Sequence, residues 1–230
     1  MKKTPGDSVV ALVPMRHQSV RVEGKNYRKL GGVPLFHHIL RTLAACTSIS
    51  KIVIDTDSEV IRQDVKEFFP QVLLLDRPEH LRADDVPMTE VVRHDVSQVP
   101  ADLYLQTHST NPFLRAETIE SALECWRQVR NFHDSLFAVT RIQARLWDST
   151  ARPVNHNPWL LLRTQDLPPL FLENSNFYIF QAELMRSTGR RIGDRPKMFE
   201  IPPLESIDID DQEGFAFAEM MMRSKQSDSK

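Results

Sequence analysis

Short apolar runs alternate with segments of helical period along this chain, and that alternation constrains its fold more than any other feature. Residues 8–14 (SVVALVP) form a nearly continuous, valine-rich apolar run, the pattern of a strand buried on both faces of a parallel sheet. Pro34 then opens a segment with Leu35, Ile39, Leu40 and Leu43 at helical spacing, proline being tolerated in a first helical turn. Residues 51–54 read as a second strand running into Asp55-Thr56-Asp57-Ser58. There an acidic or hydroxyl side chain can cap a helix bearing Val60, Ile61, Val65 and Phe68. Strands over 72–75, 103–106 and 135–140 alternate with helices over 88–96 and 117–129. This order predicts an α/β fold in three layers, a mainly parallel sheet between helices joined by right-handed crossovers.

The rhythm breaks over 141–172, where Pro153, Pro158, Pro168 and Pro169 interrupt any helix, so the stretch reads as an excursion from the sheet. Strands resume over 176–180, 198–201 and 207–209, the last leading into a closing helix with Phe215, Ala218, Met221 and Met222. One domain, 1–230, accommodates this length. Lys and Arg number 29 against 31 Asp and Glu, a net charge of −2 with no long run of one sign, which is not the footprint of a nucleic-acid binder. No apolar stretch approaches the roughly 18 residues of a membrane span, and none reads as a secretory leader. Cys46 and Cys125 lie far apart with no CxxC partner, which fits a reduced, cytoplasmic chain rather than a disulfide scaffold.

In an open α/β sheet the ligand sits beyond the carboxyl ends of the strands. The loop after the first strand, Met15 to Asn26, carries Arg16, Arg21 and Lys25, and cations with loop amides are what a polyphosphate needs. It is neither GxGxxG nor GxxxxGK[ST], and a solvated basic loop is the competing reading. Near the other end, Ser206-Ile207-Asp208-Ile209-Asp210-Asp211 alternates carboxylates. On a strand this puts Asp208 and Asp210 on one face, where two carboxylates suffice for Mg²⁺. The alternative is that Asp210 or Asp211 caps the final helix. Asp55-Thr56-Asp57 imitates a metal-binding DxD, but its place between strand and helix favours capping. The eight histidines show no convincing metal spacing. Gln106, Asn111, Arg163, Asn174 and Tyr178 are polar residues near strand ends or in the excursion, and each taken singly reads as a surface or capping residue.

Together these segments resemble the acylneuraminate cytidylyltransferases, the CMP-sialic acid synthetase family. Leu12-Val13-Pro14-Met15-Arg16 through Ser19, Gly24-Lys25-Asn26 and then Leu30-Gly31-Gly32-Val33-Pro34-Leu35 follow that family's opening motif in order and spacing. Val53 to Asp57 resembles its VSTDD, Arg77-Pro78-Glu79-His80-Leu81 its RPxxLA, and Leu105-Gln106 its LQPTSPLR strand. Arg163 to Pro168 resembles RxQDLP, Asn174 to Tyr178 resembles NGxxY, and Ser206 to Asp210 is SIDID. The resemblance covers about residues 9 to 220. It implies a Rossmann-like nucleotidyltransferase fold and a reaction in which the anomeric hydroxyl of an α-keto acid sugar attacks the α-phosphate of CTP and expels pyrophosphate.

The resemblance also implies roles. Arg16, Arg21 and Lys25 would hold the triphosphate and neutralise departing charge, with Asp208 and Asp210 holding Mg²⁺. Arg16, Asn26, Arg77 and Thr89 would bind the nucleotide. Gln106, Arg163, Asn174 and Tyr178 would line the sugar pocket, with Arg163 the expected partner of the sugar's carboxylate. A homodimer is implied as well, with 141–172 as its dimerisation excursion. The chain departs from the pattern at His17-Gln18, which replace paired glycines, at Val20, which replaces a lysine, and at Ser175-Asn176 in the NGxxY segment. These departures make a legionaminic- or pseudaminic-type acid as eligible as sialic acid. Ser19-x-Arg21-x-x-Gly24-Lys25 also resembles the Kdo cytidylyltransferases, so a Kdo-type or other sugar nucleotidyltransferase stands as the alternative, with a non-catalytic nucleotide-binding relative behind it.

Overall fold

The computed structural model describes residues 8–19 and 21–227, and Val20 lies outside the described residues. β1 (Val9–Leu12) is buried at every position, as its continuous apolar run requires. A short hairpin of β2 (Lys29–Leu30) and β3 (Val33–Pro34) leads into α1 (Leu35–Ala45). β4 (Ile49–Thr56) and α2 (Glu59–Phe68) follow, joined by Ser58, whose hydroxyl accepts the Ile61 N–H and caps the helix. Then come β5 (Leu73–Asp76), α3 (Met88–Gln98), β6 (Leu103–Thr107), α4 (Ala116–Val129) and β7 (Ser135–Ile142). The chain closes with β8 (Leu170–Gln181), α5 (Ala182–Thr188), β9 (Pro196–Glu200) and α6 (Gln212–Ser227).

The seven-stranded sheet has the order β5-β4-β1-β6-β8-β7-β9. Every neighbouring pair is parallel except those made by β8, which runs antiparallel to both β6 and β7. The expected three-layer α/β architecture is therefore present with one reversed strand. That reversal follows from connectivity: β7 and β8 are the two legs of a long hairpin, paired from Ser135↔Phe180 out to Ile142↔Leu170, so the excursion narrows to 143–169. The pleat sorts β1 between two cores. Val9 and Ala11 pack with Phe36, Ile39, Ile61, Leu123 and Trp126 of α1, α2 and α4. Val10 and Leu12 pack with Val92, Val96 and Met185 of α3 and α5.

Residues 207–209, expected as a strand, are irregular. The Ile209 N–H, donating to the Thr110 carbonyl at 3.0 Å, and a side-chain hydrogen bond between Asp208 and Thr110 tie this segment to the chain after β6. The alternation of side chains survives without the strand, because Ile209 is fully buried in a third, smaller core with Val22, Leu30, Leu35, Phe113, Phe215 and Ala218. That core matters for function. It packs the basic loop, through Val22, and the acidic segment, through Ile209, into one apolar cluster at the end of the sheet.

Candidate active site

Beyond the carboxyl ends of β1, β5 and β6 lies a cavity of about 670 Å³, within the range of small-molecule sites. Five cationic side chains line it, Arg16, Arg21, Lys25, Arg77 and Arg191, against the three carboxylates Asp84, Asp208 and Asp210. The excess of positive charge suits a polyanion.

The basic loop is folded back by local turns. Tyr27 and Arg28 N–H groups both donate to the Gly24 carbonyl, at 3.0 and 2.8 Å. Gly24 has φ of +61°, and a Cβ there would lie 2.6 Å from the Tyr27 ring, so glycine is required on both counts. Arg21 donates to Asp210 Oδ1 at 2.8 Å, and Lys25 Nζ donates to the Ile209 carbonyl at 2.8 Å with Asp210 Oδ1 at 3.9 Å. Burial lowers the Lys25 pKa, against the opposing pull of Asp208 and Asp210. Arg16 is ion-paired with Asp84. Asn26 braces the loop, its amide donating to the Arg16 carbonyl at 2.8 Å and accepting from the Ser109 hydroxyl at 2.6 Å.

His17, which stands where a glycine was expected, gives this loop a different anchor. Its N–H donates to Asp57 at 2.8 Å, its Nδ1 hydrogen-bonds the Ser58 hydroxyl at 2.8 Å, and its ring stacks on Tyr27 at 5.4 Å. The loop amide at 17 is thus committed to Asp57 within the protein. Asp57 acts as a loop anchor and Ser58 as the helix cap.

Among the carboxylates, Asp208 and Asp210 face the cavity from either side of the buried Ile209. Burial raises the Asp208 pKa, reinforced by Asp210 and opposed by a hydrogen bond with Thr110 and by Lys25 and Arg21. Asp208 Oδ1 is buried without a hydrogen-bond partner. An orphaned carboxylate oxygen beside a second carboxylate on the cavity wall fits a hard divalent cation. Asp55, His94 and Asp95 form a second group whose ligand atoms lie within 4.8 Å of one another, but its charge is already answered. Arg77, itself buried, ion-pairs with Asp55. Burial and the Asp55 carboxylate push Asp95 up to about 9, so near neutrality it carries a proton, and its two oxygens and Asp55 Oδ2 are buried with no partner outside this pair. A guanidinium and a proton occupy that cluster's electrostatic role, and of the two groups Asp208 and Asp210 fit a divalent cation better.

Toward β6 and β8 the wall changes character. Arg191 lies over the Tyr178 ring, 4.0 Å from its centroid, and donates to Gln106 Oε1. The Tyr178 hydroxyl donates to Glu173 Oε1 at 2.5 Å and lies 3.2 Å from Ser175 Oγ. His108 is held neutral, its pKa drawn down to about 4 by desolvation and by the Arg191 and Lys25 charges. Ser175 adopts φ of +56°, a left-handed conformation that glycine takes without strain and serine does not.

The cytidylyltransferase family profile matches residues 10–227, from β1 to the end of α6. The chain belongs to the cytidylyltransferase family. It is 27% identical over 233 residues to the CMP-N,N'-diacetyllegionaminic acid synthase of Legionella pneumophila, covering 95% of this chain and 97% of that protein. It is 26% identical over 217 residues to N-acylneuraminate cytidylyltransferase A of Danio rerio, covering 91% of this chain but 49% of the relative, so it spans about half of that protein's length. The fold is shared with a CMP:2-keto-3-deoxy-manno-octonic acid synthetase solved with CTP, at a TM-score of 0.72 and 15% identity over 95% of this chain and 99% of that one.

Of the residues singled out from sequence, the structure brings Arg16, Arg21, Lys25, Asn26, Arg77, Asp208 and Asp210 to one cavity. Thr89 lies on α3 beside Met88, which lines the cavity where Thr89 does not. Gln106 and Tyr178 are buried behind Arg191. Asn174 is buried with its amide donating to Thr140 Oγ1 at 2.9 Å and is not part of the lining. Arg163 sits on the excursion, exposed and bound to Asp166 through two hydrogen bonds of 2.7 and 3.2 Å, and is not among the lining residues. The reading from sequence missed Arg191, His108 and Asp84. No strand end or motif marks Arg191, and only the adjacent arginines in GRRIGD hinted at charge.

Proposed function

We propose that the chain transfers CMP from CTP to the anomeric hydroxyl of a nonulosonic acid of sialic, legionaminic or pseudaminic type, with release of pyrophosphate. The observation that supports this reading is the meeting of the two ends of the chain: Arg21 and Lys25 of the basic loop bond to Asp210 and the Ile209 carbonyl across one cavity. Relatives named for CMP-legionaminate and acylneuraminate synthesis, matched over most of the chain, favour the nine-carbon acids. A relative named 3-deoxy-manno-octulosonate cytidylyltransferase, from Geobacter sulfurreducens and 25% identical over 50% of this chain, keeps an eight-carbon acid as the second reading.

Arg16, Arg21 and Lys25 hold the triphosphate in this mechanism and neutralise the charge that gathers on pyrophosphate as it leaves. In the free protein Arg16 and Arg21 pair with Asp84 and Asp210, whose side chains are more than half exposed, and exposed pairs contribute only about 0–1 kcal/mol. A triphosphate therefore displaces the carboxylates at little cost and frees Asp210. Asp208 and Asp210 would hold Mg²⁺, which supplies Lewis-acid stabilisation of charge on the phosphates. Asn26 and Arg77 face the nucleotide, and Thr89 lies on α3 next to the lining residue Met88. Gln106, Tyr178 and Asn174 support the sugar side from behind the lining residues.

We read 1–230 as a single cytidylyltransferase domain that pairs as a homodimer through its excursion, where Trp147, Trp159, Leu160 and Leu161 are exposed. No described helix is long and apolar enough to cross a membrane, and the two free cysteines suit a reducing cytoplasm. The test is pyrophosphate release from CTP and Mg²⁺ with N-acetylneuraminic, legionaminic, pseudaminic and Kdo-type acids, with UTP, ATP and GTP as controls. Release with CTP and one nine-carbon acid supports the reading. Release only with the Kdo-type acid replaces it with the second reading, and CTP binding without release from any acid overturns it.

A further inference from the structure

Arg191 is a cation on the cavity wall with no carboxylate partner among the described residues. A single acceptor, Gln106 Oε1, takes one of its guanidinium protons. Tyr178 supports its face at 4.0 Å, and nearby Glu173 is engaged by the Tyr178 hydroxyl at 2.5 Å. A guanidinium has five N–H donors in a rigid fork, so several remain for a ligand. Burial draws its pKa down, against Tyr178 and Glu173, yet a guanidinium keeps its charge in proteins. A largely desolvated, permanent cation facing a cavity is costly unless something anionic meets it.

The loop that carries Arg191 is fastened on both sides. The Arg190 N–H donates to Thr188 Oγ1 at 3.1 Å and the Gly193 N–H to Ser135 Oγ at 2.9 Å. The Asp194 and Arg195 N–H groups both donate to Asp134 Oδ2 at 2.9 Å. A Cβ at Gly193 would lie 2.3 Å from the Asp134 carboxyl, so only glycine lets the loop come this close. Asp134, at the start of β7, thus fixes the backbone from which Arg191 reaches the cavity, and a planar cation held this way is organised before any ligand arrives.

We infer that Arg191 is the seat of the acceptor sugar's carboxylate, backed by Gln106 and Tyr178, and that it selects a sugar acid over an uncharged sugar. The inference rests on the function proposed above and refines it. It separates the anion sites: the triphosphate lies with Arg16, Arg21 and Lys25, the carboxylate with Arg191, and His108, a neutral lining residue, adds no further charge. It also moves the carboxylate away from Arg163, which is on the excursion and committed to Asp166.

The experiment uses the full chain with CTP, Mg²⁺ and the nonulosonic acid it turns over best, compared with the carboxamide of the same sugar. Arg191→Met is expected to raise KM for the acid about a hundredfold, the scale of losing one partner of a desolvated charge pair. KM for CTP should stay within about twofold, and the preference for acid over amide should collapse toward unity. Arg191→Lys should recover part of that preference, and Arg163→Met should leave it intact. An unchanged acid-to-amide ratio in a folded Arg191→Met protein, confirmed by its melting curve, overturns the inference while the proposed function stands. Collapse of the ratio in Arg163→Met alone overturns it in favour of the excursion. A wild type silent with every acid overturns the functional reading, and the inference falls with it.

Discussion

The loops around the cavity and the excursion over 143–169 are both irregular backbone, but they are anchored differently. The cavity loops carry buried apolar side chains between their charged ones: Val22 lies between Arg21 and Lys25, and Ile209 between Asp208 and Asp210, both sealed in the third core. The excursion instead leaves Trp159 94% and Leu161 82% exposed. Charges that must form a fixed array are tethered by hydrophobic pegs, whereas apolar side chains left at a surface make that surface adhesive. This contrast is why we propose that the first region holds a ligand and the second meets a second copy of the chain.

The strongest test of the first half of this comparison is Asp210→Ala. Turnover dependent on Mg²⁺ should fall by about a thousandfold or more, while the melting temperature stays put because this side chain is 52% exposed. A fully active variant would remove Asp210 from the metal site. Next comes the peg itself. Ile209→Ala, at a fully buried site, should cost about 2–5 kcal/mol in denaturant unfolding and also depress activity as the carboxylates lose register. Trp159→Ser should change monomer stability by no more than about 0.5 kcal/mol yet shift sedimentation toward monomer. Equal losses of monomer stability in these two variants would break the contrast.

A third expectation concerns the acid pair behind Arg77. The Asp95 pKa is raised to about 9 from an ordinary 3.8 by burial and by Asp55, so the folded protein binds a proton that the unfolded chain releases. The stability this supplies is fully present below about pH 4 and is lost progressively as pH rises through about 9. Asp95→Asn should flatten that slope and gain about 1–3 kcal/mol at pH 8, read from denaturation series at several pH values. An unchanged slope would mean the pair is not sharing a proton. The smallest effect is expected at Ser175, whose φ is +56°. Ser175→Gly should relieve about 1 kcal/mol of backbone strain, partly offset by loss of the 3.2 Å contact with the Tyr178 hydroxyl.

Much of the architecture was legible because period and burial are local signals. The valine run at β1, a helix cap within 55–58 and the helical stripe from Leu35 to Leu43 each satisfy their own geometry wherever they sit, and the structure bears each out, with Ser58 as the cap while Asp55 pairs with Arg77 and Asp57 anchors the loop. The segment at 207–209 was misread because its alternation comes from a buried Ile209 between two cavity-facing carboxylates, a pattern that mimics a strand without a ladder. α5 was not anticipated: at 7 residues it is too short to show a period.

What the residues alone determined was the order of layers and the membership of the basic and acidic ends in one family pattern, since motif spacing and hydrophobic period are properties of the chain itself. Only the tertiary structure decided which charges meet. Arg191 reaches Gln106, 85 residues away in sequence, and Arg21 reaches Asp210 across 189. Contacts of that separation depend on how strands are ordered in a sheet and on which loops one small core draws together, and neither leaves a local trace in sequence.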